Sequence, residues 1–250
     1  MPFLSIVIPA YNEARRIKAT LDDVQRYLGQ QSYDWEVVVA DDGSTDATAS
    51  IVEEVVRANP RVRLVRVSHV GKGWAVRNGI LAARGEYRFI CDADLSMPIH
   101  QVAEFLPPKL SGYDIAIGSR EAPGARRVGE PERRHLMGRV FNLVTRSLAV
   151  SGIRDTQCGF KSFHGQHAFE IFELQRLKGF GFDVEVLFVA QRRGLRIVEV
   201  PIEWHYREGS KVRPIRDSVR MVGDVFNVRW AHLRGSYRAP AQPRVPASRK

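Results

Sequence analysis

The chain has 250 residues, of which 44% are apolar and 26% are charged. This length and composition are those of a globular protein with one sizeable core, and they exclude a disordered or fibrous chain. The sequence contains no run of about 18 uncharged apolar residues, so it predicts no membrane-spanning helix. The N-terminus lacks the basic stretch of a signal peptide, and we therefore expect a cytoplasmic protein.

The net charge of +10 is distributed unevenly along the chain. Residues 1–118 carry a net charge of −2, whereas residues 119–250 carry +12. A strongly basic half favours a polyanionic partner, which is nucleic acid, anionic lipid or a phosphorylated substrate. The alternative interpretation is a solvated arginine-rich surface without a partner.

The first half of the chain alternates short β-rich runs with helical patterns. Strands are predicted over residues 4–10, 35–40, 63–68, 87–91 and 114–118. Apolar residues recur at helical spacing over residues 17–28 and 51–56. This alternation predicts an α/β fold with a mostly parallel central sheet and helices on both of its faces.

Polar residues follow three of the predicted strands directly. Such sheets bind their ligands in loops at the carboxyl ends of the strands, so these residues are expected to converge on one site. They are the segments Tyr11-Asn12-Glu13, Asp41-Asp42-Gly43-Ser44 and Asp92-Ala93-Asp94.

The segment Asp92-Ala93-Asp94 ends an apolar run with two carboxylates one residue apart. Like charges beside a buried strand need a neutralising partner. Carboxylate oxygens suit Mg²⁺ or Mn²⁺, and such a cation can also bridge the diphosphate of a substrate. The competing interpretation is that these residues, like Asp41 and Asp42, serve only a turn, and that Asn12 is an ordinary helix N-cap.

The second half of the chain gives fewer regular patterns. Residues 121–132 show no apolar period and are expected to form a mobile loop. The further predicted elements are a helix over about 134–150, a compact extended segment over 155–163, a helix over 182–193 and a strand over 196–205. The proline-rich residues 238–250 are expected to form a disordered tail.

A basic amphipathic helix is predicted near the end of the chain. Its arginines lie largely off an apolar line formed by Ile215, Val219, Val222, Phe226, Trp230 and Leu233. A helix of this kind can lie in the interface of an anionic membrane. Alternatively, the apolar line packs on the sheet as ordinary core.

The motifs IVIPAYNE, VVADDGSTD, GKGWAVRNG and ICDADLSMP, in this order, resemble the family 2 glycosyltransferases of the nucleotide-diphospho-sugar transferase (GT-A, Rossmann-like) fold. In the second half, IRDTQCGFKSF and GFGFDVEVLFVAQRRGLRIVEVPIEWHYREGSK resemble the dolichyl-phosphate β-glucosyltransferases and their prokaryotic polyprenyl-phosphate relatives. The resemblance reaches about residue 237. It implies a nucleotide-sugar-binding half over residues 1–118 and an acceptor-binding, membrane-proximal half of the same catalytic domain over 119–237.

The resemblance also implies roles for individual residues. Contacts to the nucleotide sugar fall to Pro9, Tyr11, Glu13, Asp42, Lys72 and Asp92, and ligation of Mg²⁺ or Mn²⁺ falls to Asp92 and Asp94. The acceptor phosphate is expected to meet Arg120, Arg133 and Arg134, assisted by Lys161 and Lys211. Catalytic roles are expected for Asp94, Arg120, Asp155 and Asp183. Ser96 stands where the mannosyl branch commonly offers a glutamine as a further metal ligand.

The implied function is the inverting transfer of a hexose, glucose from UDP-glucose, to a polyprenyl or dolichyl phosphate. The protein is then expected to be peripheral on the inner face of the cell membrane. Two alternatives keep the fold: mannosyl transfer from GDP-mannose to a polyprenyl phosphate, and transfer to a soluble acceptor. A nucleic-acid-binding function has no helix-turn-helix, RNP or zinc pattern in its favour.

Overall fold

The computed structural model describes residues 1–131, 142, 143, 145, 148–207 and 214–237, with residues 214–219 described only as backbone. Nine strands are described in these parts of the chain. They are β1 (Leu4–Ala10), β2 (Trp35–Asp41), β3 (Val62–Arg66), β4 (Tyr87–Ile90), β5 (Ile115–Ser119), β6 (Arg126–Val128), β7 (Lys161–His164), β8 (Ile197–Pro201) and β9 (Glu203–His205).

Six α-helices and one 3₁₀ helix accompany the described strands. The α-helices are α1 (Ile17–Leu28), α2 (Thr48–Ala58), α3 (Lys72–Ala82), α4 (Gly165–Leu174), α5 (Phe182–Arg192) and α6 (Pro214–Leu233), and the 3₁₀ helix spans Ile99–Phe105. None of the helices in the described residues combines the length and the apolar character needed to cross a bilayer. The helix expected over 134–150 and the tail expected over 238–250 lie largely or wholly outside the described residues.

The main sheet has seven strands in the order β3-β2-β1-β4-β7-β5-β8. Strands β3, β2, β1 and β4 run parallel to one another, and β5 runs parallel to β8. Strand β7 is antiparallel to both of its neighbours, β4 and β5. The predicted α/β fold with a mostly parallel sheet is therefore confirmed, and strands from both halves of the chain share this one sheet.

The sequence of the central strands explains their position. Every residue of β1 and β2 is buried, as expected for parallel strands covered on both faces. On one face, Ile6 and Ile8 of β1 pack in a core that includes Leu21 of α1 and Val52 of α2. On the other face, Val7 packs in a second core built on α3, α4, α5 and α6.

Two predictions for the second half were wrong in their boundaries. Residues 121–132 do not form only an irregular loop, because Arg126–Val128 is strand β6 and pairs in parallel with β9. The single strand predicted over 196–205 is divided after Pro201, where the chain leaves β8 in the main sheet and enters β9 in this second sheet.

Helix α6 turns a different face to the core from the one that the sequence singled out. Among residues 220–233, its buried side chains are Met221, Val225 and Val228, which pack in the second core. Phe226, Trp230 and Leu233 are 55%, 58% and 77% exposed. In its described part, therefore, most of the predicted apolar line is not core.

Candidate active site

Three polar segments meet at one edge of the main sheet. Because β2, β1 and β4 are parallel neighbours, their carboxyl ends lie side by side. The backbone N–H of Asn12 donates to Ser44 Oγ (2.9 Å), and that of Glu13 donates to Thr48 Oγ1 (2.7 Å). The convergence of the segments after β1 and β2 is therefore confirmed.

Asn12 joins two of these segments and does not begin a helix. Its backbone is left-handed, with a φ of 50°, and its side-chain Oδ1 accepts the N–H groups of Thr45 (2.8 Å) and Asp46 (3.3 Å). Helix α1 begins later, at Ile17. The interpretation of Asn12 as a helix cap is wrong, and its role is to hold the two loops together.

Asp42 organises the loop between β3 and α3. Its side chain is 4% exposed, and Oδ1 accepts the backbone N–H groups of Val70 (3.0 Å) and Gly71 (3.2 Å). Oδ2 lies 2.9 Å from Nδ1 of His69, whose ring stacks on Tyr11. The aspartate expected to bind a base thus also fixes the position of the histidine beside it.

The other two residues expected near the base and ribose lie on or next to β1. Pro9 is buried within the strand and faces Ala40 of β2 in the register. Glu13 forms an ion pair with Arg16 at 2.8 Å. Because β1 ends at Ala10, both residues lie at the same sheet edge as Tyr11 and Asp42.

Lys72 connects this loop to the carboxylate pair after β4. It is the first residue of α3, and its Nζ lies 2.6 Å from Asp92 Oδ1. The preceding Gly71 has a φ of 140° and packs so closely on Lys178 that a Cβ would lie 2.6 Å from the carbonyl oxygen of Lys178. Only glycine suits that position, and it lets the lysine reach the carboxylates.

The carboxylates raise the pKa of Lys72 above its ordinary value. Burial alone would lower this pKa, but the negative charges of Asp92, Asp183 and Asp94 outweigh the burial effect. Lys72 is therefore a cation at neutral pH, paired with Asp92 and close enough to Asp183 and Asp94 for their charges to act on it. The arrangement neutralises part of their mutual repulsion.

The carboxylate pair itself is held by its neighbours. Asp94 Oδ1 accepts the backbone N–H of Ser96 at 2.9 Å, and the carbonyl between the two aspartates, that of Ala93, accepts the hydroxyl of Thr20 at 2.7 Å. Asp92 packs against Gly159, where a Cβ would lie 2.1 Å from Oδ2. Among the described residues, no group of three or more His, Cys, Asp or Glu side chains could hold a metal ion.

Lys161 and Asp183 form a buried ion pair behind this site. Lys161 is fully buried, and its Nζ donates to Asp183 Oδ1 (2.6 Å) and to the carbonyl oxygen of Cys158. The expectation that Lys161 contacts an acceptor phosphate does not fit this burial. Burial raises the pKa of Asp183, against the opposing effect of Lys161. Glu185 accepts the hydroxyl of Tyr237 at 2.6 Å, which ties α5 to the end of the described chain.

Arg120 and Asp155 form a second, bidentate ion pair at the end of β5. The Nε and Nη2 atoms of Arg120 donate to Oδ2 (2.7 Å) and Oδ1 (2.9 Å) of Asp155, and the backbone N–H of Arg120 donates to Oδ2. The Arg120 guanidinium also lies 5.5 Å from the centre of the Trp204 ring. The guanidinium plane is therefore fixed by a carboxylate and an aromatic ring.

Arg120 lowers the pKa of the Asp155 carboxyl. Burial would raise the pKa of this carboxyl, but the charge and hydrogen bonds of Arg120 lower it to about 2. The side chain of Asp155 is fully buried, whereas that of Arg120 is 19% exposed. Asp155 is therefore ionised at neutral pH, and it has little affinity for a proton.

We expect the Asp155→Asn variant to lose pH-dependent stability. A carboxyl with a folded pKa of about 2 and an unfolded pKa near 4 stabilises the folded state by roughly 2.5 kcal/mol above pH 5. This contribution is lost as the pH falls through 2, because the folded carboxyl is then protonated. Urea unfolding of both proteins between pH 6 and 2.5 should show the difference between them narrowing toward acid pH. A difference that is constant over this range would contradict the assignment.

The two-stranded sheet of β6 and β9 lies beside the carboxylate turn. The backbone N–H of His205 in β9 donates to the carbonyl oxygen of Ser96 at 2.7 Å. Arg127 in β6 pairs with Glu121 at 2.5 Å and with Glu130. The segment after Arg120 therefore pairs, through β6, with the strand β9 that contacts the turn carrying Asp94.

Three of the predicted site residues lie outside the described residues. They are Arg133, Arg134 and Lys211. Conversely, sequence patterns gave no reason to select His69 or Trp204, although each contacts a predicted site residue. His69 is a lone histidine in a loop, and nothing within the long motif that contains Trp204 marks this tryptophan as a site residue, so only the fold reveals their positions.

Comparison with known proteins shows the family to which the chain belongs. The sequence model of glycosyl transferase family 2 matches residues 5–169. The chain is 34% identical over 250 residues to the dolichyl-phosphate beta-glucosyltransferase of Dictyostelium discoideum, covering 94% of this chain and 76% of the relative. It is 36% identical over 260 residues to the enzyme of the same name from Saccharomyces cerevisiae, covering 94% and 77%.

Solved structures share the same fold at lower identity. Glucosyl-3-phosphoglycerate synthase from Mycobacterium tuberculosis in complex with UDP has a TM-score of 0.63 at 22% identity, covering 96% of this chain and 82% of that one. Mannosyl-3-phosphoglycerate synthase from Rubrobacter xylanophilus has a TM-score of 0.66 at 18% identity, covering 96% and 77%. The family match spans well over half of the chain and includes every segment of the sheet edge described above, so this protein belongs to glycosyl transferase family 2.

Proposed function

We propose that the protein transfers glucose from UDP-glucose to a polyprenyl or dolichyl phosphate, with inversion at the anomeric carbon. One observation carries this proposal. The carboxylates, Lys72 and the Tyr11–Asp42 loop meet at one sheet edge, in a chain 34–36% identical over 94% of its length to dolichyl-phosphate beta-glucosyltransferases. These relatives carry the acceptor and the sugar in their names.

The donor nucleotide would extend along the sheet edge from Tyr11 to Asp94. Its base would lie near Tyr11 and Asp42, and its diphosphate would lie near Lys72, whose ammonium is a fixed cation. When the diphosphate arrives, its oxygens compete with Asp92 for this ammonium. The lysine can then neutralise the departing UDP without any change in its own protonation.

Asp92 and Asp94 would hold a divalent cation, Mg²⁺ or Mn²⁺. Their donor set fits the group, because two carboxylates without a third protein ligand in the described residues leave coordination positions for diphosphate oxygens. Structures of the mycobacterial synthase with Mn²⁺ and UDP-glucose agree with this proposal for the fold. When bound, the cation would supply positive charge to the leaving diphosphate.

The acceptor side requires a phosphate-binding group more than it requires a base. The second pKa of a phosphate monoester is about 6, so the acceptor is already largely a dianion at neutral pH and can attack directly. Arg120 offers a guanidinium whose plane is set by Asp155 and Trp204. Asp155, with a pKa of about 2, acts as a positioning residue for this arginine and not as a base. Asp183, for which a catalytic role was expected, pairs with Lys161 and lies near enough to Lys72 for its charge to act on that lysine.

A panel of donors and acceptors tests the proposed function. UDP-glucose, GDP-mannose and UDP-galactose are each incubated with a polyprenyl phosphate or with 3-phosphoglycerate, and the products are identified by mass spectrometry and by NMR of the anomeric proton. We expect a β-glucosyl phosphoryl polyprenol from UDP-glucose. A mannosyl product formed faster from GDP-mannose would reverse the donor, and transfer only to 3-phosphoglycerate would replace the lipid with a soluble acceptor.

An exposed apolar face of α6 supports a membrane-bound acceptor. Phe226, Trp230 and Leu233 are spaced by four and three residues, so they share one side of the helix, and all three are more than half exposed. Arg234 stacks over Trp230 at 4.6 Å. Because residues 119–250 carry a net charge of +12, the occupant that fits this face is an anionic lipid bilayer.

Vesicle flotation tests this surface directly. We expect the protein to float with anionic vesicles at low salt and to bind less as salt increases, because the attraction is screened. Replacing both Phe226 and Trp230 with serine should weaken partitioning by at least about tenfold, since each buried aromatic side chain contributes roughly 1.5–3 kcal/mol. The matched control is Phe169→Ser, which removes an aromatic ring of 45% exposure from α4. A wild-type protein that ignores anionic vesicles would contradict the surface and favour a soluble acceptor.

A further inference from the structure

His69 lies in the loop between β3 and α3. Its imidazole ring stacks on the ring of Tyr11, with centroids 4.0 Å apart and planes inclined by 11°. Its Nδ1 lies 2.9 Å from Asp42 Oδ2 and 3.0 Å from the carbonyl oxygen of Asp42. The ring therefore contacts both residues to which the proposed function assigns the nucleobase.

The contacts of Nδ1 fix the orientation and the tautomer of the ring. The carbonyl oxygen of Asp42 can only accept a hydrogen bond, so Nδ1 carries a proton and donates it. In the neutral ring Nε2 is then a hydrogen-bond acceptor. A flipped ring would place a carbon atom against both Asp42 oxygens and lose these hydrogen bonds. The imidazole is thus held in one position before any ligand arrives.

Asp42 itself has little surface to offer. Its carboxylate already receives the N–H groups of Val70 and Gly71 in addition to Nδ1 of His69, and its side chain is 4% exposed. The His69 side chain, by contrast, is 54% exposed. Of the two residues, the histidine is the one whose surface is accessible to a flat ligand.

The spacing of the two rings determines where a base can bind. A separation of 4.0 Å is a single stacking distance, so no base fits between Tyr11 and His69. Tyr11 covers one face of the imidazole, so a base can stack only on the opposite face, in a side chain that remains 54% exposed. We propose that His69 is a nucleobase-binding residue of the donor site and that the base stacks on this open face. The inference rests on the proposed function, because it takes the base to bind beside Tyr11 and Asp42.

The His69 ring would act as a stacking platform for the base, and its chemistry defines what it contributes to the binding affinity. Stacking on an aromatic ring accepts any base, and removing such a ring weakens binding by about ten- to a hundredfold per base. The ring is already ordered by Asp42 and Tyr11, so binding costs little of its conformational freedom. Its contribution should be confined to ligands that carry a base.

Two substitutions separate the platform from a purely structural role. The His69→Asn side chain can keep an N–H donor toward Asp42 but has no ring, whereas His69→Phe keeps a ring but has no donor. Isothermal titration of the wild type and both variants with UDP and with pyrophosphate, each with Mn²⁺, measures the two parts of the ligand separately. The unfolding temperature of each variant is recorded alongside.

We expect His69→Asn to bind UDP about tenfold more weakly and pyrophosphate as tightly as the wild type does. His69→Phe should retain UDP affinity within about threefold, even where its unfolding temperature falls. Retention of UDP affinity by His69→Asn, or equal losses in both variants, would overturn the platform. A wild-type protein that binds pyrophosphate but not UDP would instead overturn the proposed donor, so the two failures are distinguishable.

Discussion

Replacing Asp94 with asparagine is expected to lower the rate of glucosyl transfer by at least about a hundredfold without unfolding the protein. The amide oxygen can still accept the N–H of Ser96, so the turn keeps its shape. The variant loses the negative charge that would hold a divalent cation against the diphosphate, and interactions of this kind with a developing charge are worth about 10²–10³ in rate. Initial rates across a Mn²⁺ titration measure the effect.

The control for this prediction is Asp22→Asn, which removes a carboxylate on the exposed side of α1. Asp22 pairs with Lys18 at 2.6 Å, and both side chains are about half exposed. Such surface pairs contribute little, so the rate should remain within about twofold of the wild type. Full activity of the wild-type protein in excess chelator would show that Asp94 has another role.

The first half of the fold was predictable because its signals are local. An apolar run such as Leu4–Ala10 has no polar face, which is typical of a strand covered on both sides. A tyrosine or a carboxylate pair directly after such a run then falls at the carboxyl edge of the sheet. The roles of individual side chains were harder to predict from the sequence, because Asn12 and Asp42 hold loops through hydrogen bonds to backbone groups about 30 residues away.

The second half was less predictable because its elements depend on distant partners. Strand β7 has four residues, and it exists because it fits between β4 and β5, whose residues lie about 45 to 75 positions earlier. The division of the chain after Pro201 likewise depends on β6, which only the fold brings beside β9. No periodicity within either segment records these pairings.

Lys161 shows the same limitation for a single side chain. In a chain with 38 lysines and arginines, a lysine near a phosphate-binding arginine is reasonably expected at the surface. The register of β7 instead points it inward, where it meets Asp183 of α5 with both side chains at most 5% exposed. Neither the inward direction nor the partner can be read from the motif CGFKSF.

We therefore expect Lys161→Met to destabilise the protein by about 3–5 kcal/mol. Methionine fills the space of the lysine stem, but it leaves the Asp183 carboxylate buried without its cation, and removal of one partner of such a pair has a cost of this size. Burial already raises the pKa of Asp183, and loss of the ammonium would raise it further. Urea unfolding at pH 7 measures the loss.

The double variant Lys161→Met/Asp183→Leu separates the burial of a lone charge from the loss of packing. Replacing a buried ion pair with apolar side chains of similar volume is often neutral, so the double variant should regain most of the stability that the single variant loses. A surface lysine that binds the acceptor would behave differently: Lys161→Met would then stay within about 1 kcal/mol of the wild type while the KM for polyprenyl phosphate increased. That outcome would restore the role that the sequence suggested. The expected one makes the Lys161–Asp183 pair a structural link between β7 and α5, close to Lys72, the residue to which the proposed function assigns the diphosphate.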